Sequence, residues 1–370
     1  MANRQMKKIL FFTNMPSPYR VEFFNQLGEK CDLHVIFEIN DAESRDESWF
    51  SRSFKNFTPH FLKSHSYSEE GSFSLGVIHE YKKIKPDTTV VCDISSLSGI
   101  SLISHLIRHK RPYIIEGDGA FNRPCNFLKA KIKTRFFAHA QKLLYTSDEH
   151  RNYYLRFGAD PRKLVWYPFS SIKKEVILSD EKLSHIKSEK SDNDPFVFLS
   201  AGRFLSLKNF ETAIRSFGKA NIPNSKFVLV GGSPKKEYLD IIETEKIKNV
   251  EFLPFMHPAE LFSLMQKSDC FVFPSLNDIW GLVINEAAAN GLPILASKTA
   301  LSAPEIAKTT NGIILFDGKN EEELTQRMKE IASLPKQERI RLGIANAHAI
   351  RSYTIESMVQ AHIKFFELEP

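Results

Sequence analysis

The chain has 370 residues, of which 42% are hydrophobic and 25% charged, and its formal net charge at pH 7 is +6. This length suffices for two domains with separate cores, and the ordinary globular composition argues against a disordered, collagen-like or solenoid protein. No stretch approaches the eighteen or so apolar residues that a transmembrane helix needs, and the N-terminal apolar run Ile9–Phe12 is too short for a signal peptide.

Strand-like and helix-like segments alternate through residues 1–172. The series begins with KKILFFT, SPYRVEFFNQLGEK and DLHVIFEI, crosses a polar stretch without a clear period over residues 40–75, and resumes at VIHEYKKIKPD and TTVVCD. It continues through GISLISHLIRHK, YIIEGDG, FLKAKIKTRFFAHA, KLLYTS, DEHRNYYLRFG and KLVWYP. Continuous apolar strands separated by amphipathic helices predict a parallel sheet that is covered by helices on both faces.

A second series of the same kind occupies residues 195–352, after a charged segment, residues 173–194, that we interpret as a linker. The predicted fold class is therefore α/β, with two Rossmann-like, doubly wound parallel-sheet domains. We expect the C-terminal helix, residues 353–370, to pack back on the first domain. Ligands of such sheets bind beyond the carboxyl ends of the strands, so chemistry is expected in a cleft faced by both sheets.

The cysteines are widely separated and form no C-x-x-C pair: Cys31, Cys92, Cys125 and Cys270. Free thiols in a reducing compartment explain this spacing better than disulfides or a metal site. We therefore expect a soluble, cytoplasmic protein.

Positive charge is concentrated between Arg123 and Lys163, where ten Lys or Arg residues stand against three acids. Such a surplus suits nucleic acid, an anionic membrane surface or a phosphorylated ligand, and solvated helix faces contain it too. Within it, NFLKAKIKTRFFAHA alternates apolar residues and cations at helical spacing, which favours a helix lying on a membrane. We expect peripheral contact with the inner membrane face and no nucleic-acid partner.

The first candidate site is LSAGRFLSLKNFETAI, residues 199–214. Arg203 leaves a strand through a tight turn at Gly202, and Lys208 precedes a helix for which Asn209 is the expected N-cap. Two cations beside a helix N-terminus suit a diphosphate, although two exposed basic side chains in a loop have the same pattern.

The second candidate site is FVFPSLNDIWGLVINEAAANGLPILAS, residues 271–297, which reads as a strand, a loop, a short helix and another strand. Gly281 permits close approach of a ligand to the backbone, and the N–H groups of Gly281, Leu282 and Val283 begin the helix.

Two acids flank the start of this helix, Asp278 before it and Glu286 inside it. Carboxylates there suit the binding of two different pairs of sugar hydroxyls. A turn residue and a solvated helix residue are the plain alternative.

In KFVLVGGSP, Gly231 and Gly232 end a strand and would admit a base or ribose close to the backbone, or form an ordinary turn. The chain has no Walker A loop, and GDGAFN lacks the third glycine of the dinucleotide fingerprint. The acidic run at residues 192–194 lies in the predicted linker. We therefore expect no metal and no cofactor, with Arg203 and Lys208 neutralising phosphate charge.

In the first half, TNMPSPYRVEFF places Ser17, Tyr19 and Arg20 between the first strand and the first helix, and IIEGDGAF ends a strand with Glu116 and Asp118. An acidic loop at a strand end suits catalysis, and it is also typical of a turn. Because strand ends converge in such folds, we assign Asp118 to catalysis and the other four side chains to the acceptor side.

Taken together, GRFLSLKN, LVGG, the second candidate site and NGIILF resemble, over residues 195–320, the nucleotide-sugar domain of family 4 retaining glycosyltransferases. These enzymes have the GT-B fold, and the resemblance is to the type that builds bacterial polysaccharides. The family pairs two glutamates across seven residues, and here Asp278 and Glu286 stand at that spacing. The resemblance implies that Arg203 and Lys208 hold the donor diphosphate.

The resemblance also implies that Glu286 holds the ribose, that Asp278 holds the transferred sugar, and that the Gly281–Val283 amides bind phosphate and sugar. It implies transfer of a hexose-type sugar, with UDP the expected nucleotide, to a glycan or lipid-linked glycan in cell-surface polysaccharide synthesis. A sugar-nucleotide epimerase of similar fold and a non-catalytic nucleotide-sugar binding protein stay open as alternatives.

Overall fold

The computed structural model of the protein describes residues 6–38, 51–63, 65–68, 71–74, 76–191 and 193–368. The chain forms two compact units, Met1–Ser170 together with Ile355–Pro370, and Ser171–Thr354. None of the described helices combines the length and the apolar character that crossing a membrane requires.

The first unit is built on a parallel sheet. Its strands are β1 (Lys8–Thr13), β2 (Asp32–Phe37), β3 (Thr58–Phe61), β6 (Thr88–Val91), β7 (Tyr113–Glu116), β8 (Lys142–Tyr145) and β9 (Leu164–Trp166), while β4 (His65–Ser68) and β5 (Gly71–Phe73) form a separate antiparallel pair. Its helices are α1 (Pro18–Leu27), α2 (Val77–Ile84), α3 (Leu97–Arg108), α4 (Phe127–His139), α5 (Asp148–Arg156) and α14 (Ile355–Phe366).

The described strands of this sheet have the order β3-β2-β1-β6-β7-β8-β9. The direction of winding therefore reverses between β1 and β6. Residues Ile9 to Phe12 of β1 are fully buried, because the sheet has helices on both faces and the strand can be apolar throughout.

The C-terminal helix α14 belongs to the first unit. Two lysine side chains satisfy backbone carbonyl groups in its last turn: Lys7 donates to Phe366 at 2.9 Å, and Lys142 donates to Phe365 at 2.7 Å. Cations at a helix C-terminus satisfy carbonyl groups that have no partner within the helix.

The second unit repeats this plan. Its strands are β10 (Phe196–Ala201), β11 (Ser225–Val230), β12 (Val250–Leu253), β13 (Cys270–Phe273), β14 (Ile294–Ser297) and β15 (Ile313–Phe316). Its helices are α6 (Asp180–Glu189), α7 (Phe210–Ala220), α8 (Lys236–Thr244), α9 (Pro258–Lys267), α10 (Leu282–Ala289), α11 (Ser302–Ile306), α12 (Glu321–Ser333) and α13 (Lys336–Ala349).

The second sheet is also parallel, with the order β12-β11-β10-β13-β14-β15 among the described strands. Its winding reverses between β10 and β13. The predicted fold class, two doubly wound parallel sheets with helices, is confirmed.

The segment interpreted as a linker, residues 173–194, lies in the second unit and contains α6. Leu183 of α6 is buried with Leu178 and Ala347. These apolar residues are too few, within a highly charged stretch, to predict a packed helix from the sequence.

Candidate active site

The first cluster of candidate residues lies where the second sheet reverses its winding. The loops that follow β10 and β13 are neighbours there because the two strands pair. The carbonyl oxygen of Leu207 accepts hydrogen bonds from the N–H of Leu276 at 2.9 Å and from the hydroxyl of Ser275 at 3.1 Å. Since ligands of doubly wound sheets bind at such switch points, these fastened loops form the candidate site of the second unit.

The two predicted cations both follow β10 but differ in their surroundings. Lys208 ends a short 3-10 turn, Ser206–Lys208, and its ammonium group forms an ion pair with Asp278. The two side chains are only 22% and 14% exposed. Arg203 is exposed and has no acidic partner in the described part of the chain. The structure thus brings Lys208 and Asp278 together and leaves Arg203 available on the same loop.

Asn209 occupies the N-cap position of α7, but its side chain makes no capping hydrogen bond. Its amide group instead donates to the carbonyl oxygens of Pro274 at 3.2 Å and Gly318 at 2.8 Å. The expected side-chain cap is therefore wrong. The side chain is used to connect the start of α7 to the loops after β13 and β15.

Gly281 begins α10 with a φ of 85°, a backbone conformation that residues other than glycine rarely adopt. A Cβ atom at this position would also lie 3.0 Å from the Phe273 ring. The first N–H groups of a helix have no partner within it, and the half-buried Leu282 and Val283 supply two of these groups here. The predicted backbone donors are therefore at the beginning of a helix, as the sequence indicated.

The loop before α10 is held in place by Trp280, which is 1% exposed and donates from its indole N–H to Asn285 at 3.1 Å. The backbone N–H of Trp280 donates to the Asp278 carboxylate at 3.3 Å. Beside them, the side-chain oxygen of Asn277 is buried and accepts no hydrogen bond from any described residue. An unsatisfied acceptor next to Asp278 suits a ligand that brings hydroxyl or N–H groups. Asn277 was not predicted, because an asparagine in a loop usually indicates only a turn.

Glu286 is the second acid of the pair, and its carboxylate accepts a hydrogen bond from the Ser171 hydroxyl at 3.0 Å. Burial raises the pKa of Glu286 to about 7, against a smaller opposing effect of the Ser171 hydrogen bond. Buried acids with a raised pKa are frequent at binding and catalytic sites. Ser171 lies far from Glu286 in the sequence and follows no motif, so the sequence offered no signal for it.

Glu286→Gln should stabilise the ligand-free protein above about pH 7 by one to a few kcal/mol, because ionising the buried carboxylate costs free energy. The pKa of Glu286 is raised in the folded protein relative to the unfolded value of 4.5. The protonated acid therefore contributes its full stability below about pH 4.5, and this contribution is lost as the pH rises through about 7. Denaturant unfolding at several pH values measures this effect. Glu237→Gln, at an exposed position, is the control and should change nothing. Equal stability of Glu286→Gln and the parent at high pH would contradict the expectation.

Of the two glycines after β11, Gly231 is required by packing. A Cβ atom there would lie 2.0 Å from the carbonyl oxygen of Gly202, so the loops after β10 and β11 touch at their backbones. At Gly232, a Cβ atom would meet no atom of the described residues within 4 Å. The open space beside Gly232 is compatible with the predicted approach of a base or ribose, which stays a prediction.

The first unit has a second, fully buried cluster of charged residues near its switch point. Arg20 on α1 donates to the Glu116 carboxylate at 2.6 Å and to the Cys92 sulfur at 3.0 Å. The other oxygen of Glu116 lies 2.8 Å from Nε2 of His362 on α14. The exposed fraction is 3% for the Arg20 side chain and 0% for Glu116 and His362. Arg20 and Glu116, both predicted on the acceptor side, therefore bind each other.

The hydrogen bonds of His362 determine its protonation. Nδ1 lies 2.8 Å from the carbonyl oxygen of Met358, which can only accept, so Nδ1 carries a proton. Burial raises the pKa of Glu116, but Arg20 and His362 together lower it to about 2, so Glu116 is ionised. Nε2 then donates to this carboxylate, and His362 is a cation. The cluster is one buried anion between two cations, and no sequence pattern indicated His362.

Asp118 lies on the loop after β7, and Arg20 and Glu116 both act on its charge. Burial raises the pKa of Asp118 to about 6, with Glu116 adding to the increase and Arg20 opposing it. The hydroxyl of Thr146 donates to the backbone carbonyl of Asp118 at 3.2 Å, which fixes the loop. The carboxyl group itself is half-buried and binds no other side chain of the described residues. Asp118 is thus the predicted acid of the first unit that is still open to a ligand.

Ser17 and Tyr19 flank the start of α1. Ser17 is 5% exposed and stands at the N-cap position without a side-chain capping bond. Tyr19 is half-buried, and its ring centre lies 5.7 Å from that of Phe169. Their acceptor role stays a prediction.

Within the described residues, no group of three or more His, Cys, Asp or Glu side chains is arranged as a metal site. Asp192 of the acidic run lies outside the described residues. The four cysteines are free thiols.

Two doubly wound units, with a cation, an acid and a helix start at the switch point of the second, define the GT-B class of protein. Over 98% of both chains, the fold matches the sucrose-phosphate synthase of Thermosynechococcus elongatus with a TM-score of 0.75 and 13% identity. HepE of Anabaena, solved in complex with UDP, matches over 97% of this chain and 99% of its own with a TM-score of 0.75 and 16% identity. The predicted GT-B fold is confirmed.

Residues 181–347 match the model of the family described as glycosyl transferases group 1. The chain is similar to the alpha-monoglucosyldiacylglycerol synthase of Acholeplasma laidlawii, with 32% identity over 35% of this chain and 33% of that protein. It is also similar to the D-inositol 3-phosphate glycosyltransferase of Stackebrandtia nassauensis, with 25% identity over 56% and 50%. The chain thus spans a third to a half of the length of these two relatives. The resemblance to family 4 glycosyltransferases is confirmed.

Proposed function

We propose that the protein is a glycosyltransferase that moves a hexose-type sugar from a nucleotide diphosphate sugar to a glycan or lipid-linked glycan. The observation that carries this proposal is the Lys208–Asp278 pair at the switch point of the second sheet. A cation and an acid meet there in a family whose described activity is glycosyl transfer. The matched segment contains both residues.

The leaving group of such a reaction is a nucleoside diphosphate, whose negative charge increases as the bond to the sugar breaks. Lys208 and Arg203 stabilise that charge, and the first N–H groups of α10 add a helix N-terminus. In this proposal the cations replace a divalent metal, and no cofactor takes part. Turnover in the presence of a metal chelator tests that point directly.

The acids bind hydroxyl groups. Asp278 and the unsatisfied Asn277 oxygen hold the sugar, while the Glu286 carboxylate holds the ribose. The open space beside Gly232 admits the base or ribose. UDP is the proposed nucleotide, and the solved HepE complexes with UDP and with UDP and glucose support this choice by analogy of fold alone.

The acceptor binds to the first unit, where Asp118 receives an acceptor hydroxyl and Ser17 and Tyr19 line its approach. Arg20 and Glu116 do not contact the acceptor in this proposal, because both are buried and bind each other. They act through their effect on the charge of Asp118. We further propose retention at the anomeric carbon, a role in cell-surface polysaccharide synthesis, and a cytoplasmic protein at the inner membrane face. Relatives named as an O-antigen biosynthesis glycosyltransferase and as a glycolipid synthase support that setting.

Incubation of the purified protein with a panel of nucleotide sugars, followed by mass spectrometry, tests the proposal. A glycosyltransferase hydrolyses its donor slowly in the absence of acceptor and releases nucleoside diphosphate. An epimerase converts the sugar and releases none, and a binding protein leaves every donor intact. Either of these last two results would reject glycosyl transfer.

A further inference from the structure

Helix α4 of the first unit presents two large apolar side chains to solvent at its N-terminal end. Phe127 is 83% exposed and Leu128 is 67% exposed, the highest values among the large hydrophobic side chains of the described residues. The side chain of Asn126 accepts a hydrogen bond from the N–H of Lys129 at 2.9 Å and caps the helix. Phe127 and Leu128 therefore lie in the first turn of a capped helix.

The opposite side of α4 already packs on the core of the first unit. Phe136 and Phe137 are 3% and 0% exposed, and Phe137 makes an edge contact with Tyr154 at 5.0 Å between ring centres. Lys133 lies over the rings of Tyr153 and Phe157, at 4.8 Å from each ring centre. Phe127 and Leu128 are therefore not part of the face that holds α4 on its unit.

Cations surround the apolar pair. With about 3.6 residues per turn, Lys131 and Arg135 fall on the same side of the helix as Phe127, and both are exposed. Lys129 and Arg123 are exposed nearby in sequence, and Arg123 lies over the Phe121 ring at 4.4 Å.

The sequence of this segment contains no acid. Residues 119–147 contain six Lys or Arg and no Asp or Glu. Solvated helix faces usually mix both signs, so the stretch differs from an ordinary exposed helix. None of the four exposed cations has an acidic partner among the residues that the structure describes.

We propose that the outward side of α4, formed by Phe127, Leu128, Lys131 and Arg135, docks the first unit on a bilayer that contains anionic phospholipid. The two apolar side chains enter the boundary between headgroups and acyl chains, and the cations face the negative lipid headgroups. Stable attachment without a transmembrane helix needs both contributions. A nucleic acid would bind the cations and stack a base on Phe127, but it would leave the exposed Leu128 in water, whereas a bilayer buries both side chains.

The docking proposal rests on the proposed function in one respect: a lipid-linked acceptor lies in a membrane, so an enzyme that uses it must bind near the bilayer. None of the four residues of this surface is a candidate for donor or acceptor binding. Variants of α4 should therefore leave donor hydrolysis in the absence of vesicles unchanged, which separates the two proposals.

The test is co-sedimentation of the full chain with vesicles of phosphatidylcholine alone and with vesicles that also contain phosphatidylglycerol. We expect binding to the anionic vesicles, decreasing as salt is raised. Phe127→Ser with Leu128→Ser should lower binding at least about tenfold. Lys131→Gln with Arg135→Gln should lower it roughly thirtyfold. The matched control is Leu239→Ser with Lys236→Gln on α8, two exposed residues of the same types, which should bind like the parent.

Three results would overturn the docking surface. They are equal binding to both kinds of vesicle, unchanged binding of the α4 variants, and an equal loss in the α8 control. Binding of RNA or DNA that the α4 variants abolish, without binding of vesicles, would assign the surface to nucleic acid instead. Vesicle binding without any donor hydrolysis would support the surface and reject the proposed enzyme.

Discussion

Replacing Lys208 with alanine should lower the turnover of sugar transfer about a hundredfold, the usual loss when one preorganised charge-stabilising contact is removed from a transition state. The ammonium group of Lys208 is mostly buried and paired with Asp278. It also lies 5.1 Å from the centre of the Phe273 ring, in a position that limits its hydration. A weakly hydrated cation stabilises a departing diphosphate more than an exposed one does. Initial rates with the true donor at saturation measure the effect.

Two further variants separate a catalytic role of Lys208 from a merely structural one. If Lys208 serves only to neutralise Asp278, Lys208→Ala should cost no further activity in the Asp278→Asn background, where there is no charge to neutralise. If Lys208 stabilises the leaving group, adding Lys208→Ala to Asp278→Asn should lower the turnover again. Lys298→Ala removes an exposed lysine that follows the neighbouring strand β14, and it should keep the parent rate. A parent-like rate in Lys208→Ala would remove Lys208 from the catalytic residues.

The residues of the candidate site in the second unit could be predicted from the sequence, because each of them follows the end of a strand that the local pattern of apolar residues predicts. Each strand end is marked by a change from apolar to polar residues, and Arg203, Lys208, Asp278 and Gly281 all lie within one loop of such an end. Two parallel strands that pair place their following loops side by side. The fold class was therefore enough to predict that the loops of Lys208 and Asp278 are neighbours.

Other features depended on contacts that no local pattern encodes. His362 contacts Glu116, which lies 246 residues earlier in the sequence, and an isolated histidine on the apolar side of a helix predicts only a core residue. Edge strand β3 lies in a polar stretch without a period, because none of its four residues is buried and it has no apolar face for a pattern to show. The packing of α6 in the second unit rests on a few apolar side chains within a charged segment.

Glu116→Gln should destabilise the first unit by about 3–5 kcal/mol, the usual cost of removing one partner from a buried group of charges. The carboxylate lies between the cations Arg20 and His362, which are buried as deeply as it is. Glutamine has nearly the same shape but no charge, so both cations would lose their counterion in a medium that solvates them poorly. Denaturant unfolding at neutral pH measures the loss. Glu80→Gln is the control, since its partner Lys83 is 60% exposed, and it should cost less than about 1 kcal/mol.

The pH dependence of unfolding gives the same prediction a second, independent test. Arg20 and His362 hold the pKa of Glu116 at about 2, below the value of 4.5 that it has when unpaired. A depressed folded pKa contributes stability above about pH 4.5, and this stability is lost as the pH falls toward 2. The parent should therefore weaken through that acid window, while Glu116→Gln, which has no carboxylate to protonate, should show a shallower decrease. Parallel pH profiles for the two proteins would mean that Glu116 is not the anion that holds α14 to the sheet.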